Sequence, residues 1–201
     1  TRKESSAASD VYKRQGLVST VSSSFWTPFH AARILASLDH ISGGRIGWNV
    51  VTSMFDAEAR NHGGTTLPGH EERYRRAEEF VDAVQALWDS WPRASILADR
   101  EGRYADSTMI HGVDHEGEHF SVAGPLNVPE PPQGRPVLFQ AGASGPGRSL
   151  ASRRAEGIYA VAYDLEQGEE YRTDIRRRAA AAGRNPDDVV VMPGLVTYVL
   201  S

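Results

Sequence analysis

Ser42-Gly43-Gly44-Arg45-Ile46-Gly47-Trp48-Asn49-Val50-Val51-Thr52-Ser53 decides how this chain is read. The stretch ends one element and begins another. Gly43 and Gly44 reach left-handed backbone angles without penalty, so they stop the helical segment before them. Ile46 to Val51 is short, apolar and β-branched, the pattern of a strand buried on both faces of a parallel sheet. Asn49 interrupts that strand. A buried amide must be hydrogen-bonded, by the protein or by a ligand. Asn49 is therefore either a satisfied core asparagine or a pocket residue.

Outward from this stretch, strands and helices alternate. Leu17 to Val21 reads as a strand. Pro28 to Leu38 reads as a helix, with proline near its first turn and Ile34, Leu35 and Leu38 on one face. The second strand is Arg45 to Val51. Glu71 to Trp88 is the clearest helix, because Tyr74, Ala77, Phe80, Val81, Val84, Leu87 and Trp88 follow the helical period. From Trp91 to Pro136 the alternation breaks in a Pro-, Gly- and His-rich insertion too long for an ordinary connection. Within it, Glu116 to Val122 suggests a hairpin. Alternation then resumes: strand Val137 to Gln140, helix Gly147 to Ala155, strand Ile158 to Ala162, and helix Gly168 to Ala182, closed by Gly183. Val189 to Met192 and Leu195 to Leu200 form the last strand region, bent at Pro193-Gly194. Repeated βα units imply a parallel sheet with right-handed crossovers. An open doubly wound sheet and a (β/α)8 barrel both satisfy that pattern.

Composition narrows the function. The 201 residues suffice for one good-sized core or one incomplete larger domain. A net charge of -4 with no dominant basic stripe argues against nucleic acid. Arg172 to Arg178 is basic but interleaved with Asp174, as a solvated helix face would be. The absence of cysteine excludes disulfides, thiolate metal sites and cysteine nucleophiles, and suits the cytoplasm. No apolar run reaches the ~20 residues of a membrane span, and no secretion signal is visible. Thr1 to Gln15 is polar and aperiodic, and reads as a disordered tail or foreign leader.

Three groups of residues can carry chemistry. His70 and Tyr74 lie four apart, so they share a helix face at a helix N-terminus, where free amides favour an anion. The alternative is a capping histidine and a core tyrosine. Gln140-Ala141-Gly142-Ala143-Ser144-Gly145-Pro146-Gly147-Arg148 leads a strand through small residues into a helix, a geometry able to cradle phosphate. It lacks the lysine of a GxxxxGK[ST] loop, and a Gly-Ser turn can also be a plain connection. His111, His115 and His119 recur every four residues, but the intervening glycines oppose a helix and no carboxylate completes a facial triad. No metal site is expected. No GxSxG elbow supports serine catalysis.

GRIGWNVVTS (Gly44 to Ser53), with Ala59-Arg60-Asn61 and His70-Glu71-Glu72-Arg73-Tyr74, resembles the bacterial luciferase-like flavin monooxygenases, most of all the nitrilotriacetate and dibenzothiophene-sulfone monooxygenase branch. The resemblance covers Gly16 to Ser201. It implies an α/β fold, a partial (β/α)8 TIM barrel with an inserted hairpin-containing segment. Residues 16–201 would be that barrel portion. The family's first two strands would precede Gly16, and its last strand and closing helices would follow Ser201.

The resemblance also implies chemistry. The residues matching His70 and Tyr74 contact FMN, the one matching Ser144 holds its phosphate with Gly145 beside it, and the one matching Thr20 contacts the flavin. Asn49 is the candidate catalytic residue, near the isoalloxazine ring. A separate NAD(P)H:flavin reductase would supply FMN as FMNH2. O2 would add at the flavin C4a position, and the peroxyflavin would oxygenate a small organic substrate of nitrilotriacetate, sulfone or sulfonate type. A cytoplasmic homo-oligomer is implied, with no nucleic-acid or membrane partner. The alternatives are an F420- or flavin-dependent oxidoreductase on the same barrel, or a catalytically incomplete fragment.

Overall fold

The computed structural model describes residues 14–194. In chain order the elements are β1 (Leu17–Ser22), α1 (Pro28–Ser42), β2 (Ile46–Val51), α2 (Asp56–Asn61), α3 (His70–Asp89), β3 (His115–Glu116), β4 (Ser121–Val122), β5 (Val137–Gln140), α4 (Gly145–Arg154), β6 (Gly157–Ala160), α5 (Leu165–Ala181) and β7 (Val190–Pro193). Most of the proposed leader and the strand expected at Leu195 to Leu200 lie outside the described residues.

Five strands form one sheet in the order β1-β2-β5-β6-β7, every pair parallel. The order follows the chain without reversing. A doubly wound sheet would reverse at a switch point and carry helices on both faces. Here successive helices pack on one another, α1 on α3, α3 on α4 and α4 on α5. This is an arc of a (β/α)8 barrel. Trp48, Val50, Leu138 and Ile158 are buried under the helices. Trp48 meets the rings of Phe80 at 5.8 Å and Trp88 at 6.2 Å between centroids.

Alternation along each strand sends the intervening side chains to the opposite, inner face. Asn49 and Val51 are only half-buried there, and Tyr159, Val190 and Met192 are exposed. The expectation that β2 is buried on both faces is therefore corrected: Asn49 belongs to the inner face of the arc, not to the packed core.

The buried face of α1 also differs from expectation. Ile34 and Leu38 are exposed, and the contact is made by Ala31, Ala32, Leu35 and Ala36. Alanines let α1 approach α3 closely, and the Trp88 indole N–H reaches the Ala32 carbonyl at 3.0 Å. Asp164 accepts from the Gln167 amide at 2.8 Å, so α5 starts at Leu165 rather than Gly168. The six-residue helix α2 buries only Ala59, too little to leave a periodic signal.

The insertion folds back on α3. Its hairpin, β3 against β4, is tied down by Glu79, whose carboxylate accepts from the amides of His119 and Phe120. The hairpin stands beside the β1–α1 connection, at the mouth end of the strands.

Asp39 fixes the entry to the sheet. It is fully buried near the end of α1, and its carboxylate accepts from Ile46 N (3.3 Å), Gln133 N (3.1 Å) and Gln133 Nε2 (2.6 Å). Asp39→Ala leaves three donors without their acceptor. It is expected to cost about 3 kcal/mol in urea unfolding, against less than about 0.5 kcal/mol for Ser37→Ala on the exposed side of the same helix.

Candidate functional site

The site begins where β5 ends. Gln140, the last residue of that strand, is buried and its side-chain oxygen accepts from Gly142 N at 2.6 Å. Ser144 caps α4, its hydroxyl oxygen accepting from Gly147 N at 3.2 Å, and Pro146 lies in the first turn. The hydroxyl proton of Ser144 remains available to a ligand. Gly142 and Gly147 face each other with no space between them. A Cβ on Gly142 would lie 2.8 Å from Gly147 Cα, and one on Gly147 would lie 2.9 Å from Gly142 Cα. Either would also sit about 3 Å from the Tyr74 hydroxyl. Strand end, helix start and tyrosine thus converge in a cradle that any larger residue would fill.

Helix α3 supplies the other wall. Its N-cap, Gly69, offers no side chain, so its first amides are left without a side-chain cap. His70 is the first helical residue, and its ring lies 5.0 Å from that of Tyr74. Arg73 donates from Nη1 to the Pro68 carbonyl at 2.6 Å, whereas its buried Nε has no partner among the described residues. His70, Arg73, Tyr74, Gln140–Ser144, Val51–Phe55 and Glu58 line one cavity of about 640 Å³. In this wall Ser53 takes a positive φ of 58°, an uncommon angle for a residue with a side chain. The carboxylate of Glu58 braces that segment by accepting from the amides of Met54 and Phe55. Hydrogen bonds from Ser53 and then Met54 hold its pKa below the usual carboxylate value.

A second layer supports the cradle. The Tyr171 hydroxyl donates to the Gly142 carbonyl at 2.9 Å, and burial pushes its pKa up. Arg148 stacks over the Tyr171 ring, 4.7 Å from its centroid, and donates to Asp174 at 3.1 Å. Burial alone would raise the pKa of Asp174, but hydrogen bonds from Arg148, Arg178 and Arg177 bring it down to about 2.

The donor set suits a phosphate group. An imidazole, a guanidinium with an unpartnered buried Nε, the hydroxyls of Tyr74 and Ser144 and two helix N-termini border one cavity. Of the residues singled out in the sequence, His70, Tyr74 and Ser144 are brought together. Gly145 opens instead on a neighbouring groove, shared with Tyr74 and Arg153. Thr20 and Asn49 do not line the cavity. They are register partners on the inner face, where Asn49 Nδ2 donates to Thr20 Oγ1 at 3.2 Å. Sequence reasoning missed Arg73, although its i+3 spacing from His70 placed it on the same face. It also missed Glu58 and Tyr171, whose roles depend on contacts that no local pattern reports.

The luciferase-like monooxygenase family model matches residues 5–201, and this chain belongs to that family. The match takes in much of the segment before Gly16. The chain is 46% identical over 195 residues to N-acetyl-S-(2-succino)cysteine monooxygenase of Bacillus subtilis (strain 168), covering 96% of this chain and 44% of that protein. It is 49% identical over 185 residues to nitrilotriacetate monooxygenase component A of Aminobacter aminovorans, covering 92% and 41%. Among solved structures, a riboflavin lyase with modified FMN and riboflavin superposes with a TM-score of 0.85 at 41% identity, covering 89% of this chain and 40% of that one. The chain thus spans less than half the length of these relatives.

Gly142→Ala forces a methyl against backbone and is expected to lower stability by about 1–3 kcal/mol in urea titrations. Gly145→Ala, which meets open space, is expected to change stability by less than about 0.5 kcal/mol.

Asp174 is 16% exposed, and its folded-state pKa lies below the ordinary value of about 4. Its stabilisation is therefore complete above that value and is lost as pH falls through about 2. Asp174→Asn is expected to cost on the order of 2 kcal/mol at pH 7. The gap to the parent should close as unfolding is repeated toward pH 2.

Proposed function

We propose that this chain supplies the phosphate-binding part of the active site of a two-component, FMN-dependent monooxygenase. The observation that carries the reading is the cradle itself. Ser144, Tyr74 and His70 meet there beside an Arg73 donor that is buried and unpartnered. Membership of the family and the names of the relatives, all oxygenating or flavin-handling proteins, support the same reading.

In this reading Ser144 donates its hydroxyl proton to a phosphate oxygen while its oxygen keeps α4 capped. Tyr74 and His70 donate from the first turn of α3, and Arg73 offsets the phosphate charge. The glycines let the backbone amides approach the anion. Thr20 and Asn49 present a hydroxyl and an amide further along the inner face, toward the flavin ring. Reduced FMN, when bound, supplies the electrons that activate O2. The protein's part is to position the cofactor, exclude water and hydrogen-bond its edges.

A separate NAD(P)H:flavin reductase delivers the reduced flavin, a division of labour that suits the name "component A" of one relative. The substrate is a small organic molecule of the nitrilotriacetate, sulfone or sulfonate type. The complete protein is a cytoplasmic homo-oligomer. Among the described residues no helix is long and apolar enough to cross a membrane.

The test compares FMN with riboflavin, which lacks the phosphate, in the full-length enzyme. Ser144→Ala and Arg73→Met are each expected to weaken FMN binding about ten- to a hundred-fold, corresponding to charge-assisted hydrogen bonds of roughly 1.5–3 kcal/mol. Riboflavin binding should stay unchanged in fluorescence titrations. Equal losses for both ligands would return Ser144 to a plain helix cap.

A further inference from the structure

We propose that Glu72, Glu118 and His119 form a binding site for a divalent transition-metal ion of the zinc class, separate from the flavin cradle, that fastens the inserted hairpin to α3. Glu72 lies in the first turn of α3, and Glu118 and His119 lie in the turn between β3 and β4. One donor atom from each falls within 4.8 Å of the others. The nearest carboxylate oxygens lie at different ring nitrogens, Glu72 Oε1 3.5 Å from His119 Nδ1 and Glu118 Oε2 3.9 Å from His119 Nε2, so an ion held by Nε2 draws Glu72 round to that side.

The imidazole carries the argument. Its side chain is only 10% exposed, and Nε2 is buried with no hydrogen-bond partner among the described residues. Leaving such a nitrogen unsatisfied is costly. Its neighbour is a carboxylate oxygen slightly beyond hydrogen-bond reach. Ligand atoms bound to one zinc at about 2.0–2.2 Å stand roughly 3–3.5 Å apart. Closing the set on Nε2 requires an inward movement of Glu118 and a turn of Glu72 from the Nδ1 side, and Glu118, 63% exposed, gives the ion its path from solvent. One imidazole and two carboxylates suit zinc and leave a position for water.

The ligands are also held in advance. The His119 amide donates to Glu79 Oε2 at 2.9 Å, the Phe120 amide to Glu79 Oε1 at 2.8 Å, and His115 Nε2 lies 3.1 Å from the same Oε1. Supporting contacts of this kind orient metal ligands. Arg75 holds the outer oxygens of the pair, Oε2 of Glu72 and Oε1 of Glu118. The oxygens facing the imidazole are thereby left for the ion, and the guanidinium charge opposes it. The four-residue spacing of His111, His115 and His119 gave no hint of this set, because its members come from two distant segments.

Calorimetric titration of the protein with zinc chloride tests the proposal. One equivalent should bind with a dissociation constant below about 10 μM. His119→Gln and Glu118→Gln should each weaken binding at least about ten-fold, and Arg75→Ala, by removing a competing cation, should tighten it several-fold. His111→Ala, on an exposed loop, should change nothing. Glu118 and Arg75 are exposed enough that their variants fold even if His119→Gln does not. No zinc uptake at about 1 mM, or affinity unchanged in Glu118→Gln and Arg75→Ala, would overturn the proposal.

Discussion

A single buried carboxylate sets the register on which the glycine cradle depends. Asp39 ends the useful length of α1, accepts from the first amide of β2, and takes two donors from Gln133, ahead of β5. Gln133 Nε2 also donates to the Ile46 carbonyl at 2.8 Å. The starts of two neighbouring parallel strands are therefore fixed to one another before either runs toward the mouth. Parallel strands have no tight turn to set their alignment, and a slip by one residue would send every side chain to the wrong face. With the starts fixed, Val51 and Gln140 end level with the N-termini of α3 and α4. The cradle is the far end of that alignment.

From there the structure works as two layers. The inner layer holds donors that a phosphate can use. The outer layer, Tyr171, Arg148 and Asp174, touches only the backbone or other support, and gives the Gly142 carbonyl a hydrogen-bond donor of its own. A buried carbonyl left without a donor is costly, so the Tyr171 hydroxyl has a hydrogen-bonding as well as a packing role. Glu58 does the same for the opposite wall, where its charge is spent on the amides beside the strained Ser53.

Much of this was legible in the sequence, for definable reasons. Every strand of the sheet announced itself as a short apolar run, and α3 through its periodic stripe. His70, Tyr74 and Ser144 could be named because a helix start and a strand-to-helix turn are local features. Barrel and doubly wound sheet share the βα rhythm, so the pattern alone did not separate them; the family resemblance pointed to the barrel, and the strand order of the folded chain agrees. The alanine face of α1 was misread because Ile34 and Leu38 are more apolar than Ala31 and Ala32, whereas close helix packing rewards small size. Arg73, Glu58 and Tyr171 depend on which atoms lack or find partners across the fold.

The inner face shows the same logic carried one step further. Phe139 spans it, and a Cβ on Gly157 would lie 2.4 Å from the Phe139 ring. The row Thr20, Asn49, Phe139 and Gly157 thus places a hydroxyl, an amide and an aromatic ring side by side, with the ring lying over the glycine of the fourth strand. Packing alone would favour large apolar residues at such positions, as the helix-facing side of the same strands shows with Trp48, Leu138 and Ile158. The Asn49 amide has one donor committed to Thr20, which leaves its carbonyl and second N–H for another partner. A polar pair with spare hydrogen-bonding capacity, set beside the Phe139 ring on the inner face, is out of place in a packed core and suits a surface that meets a polar partner.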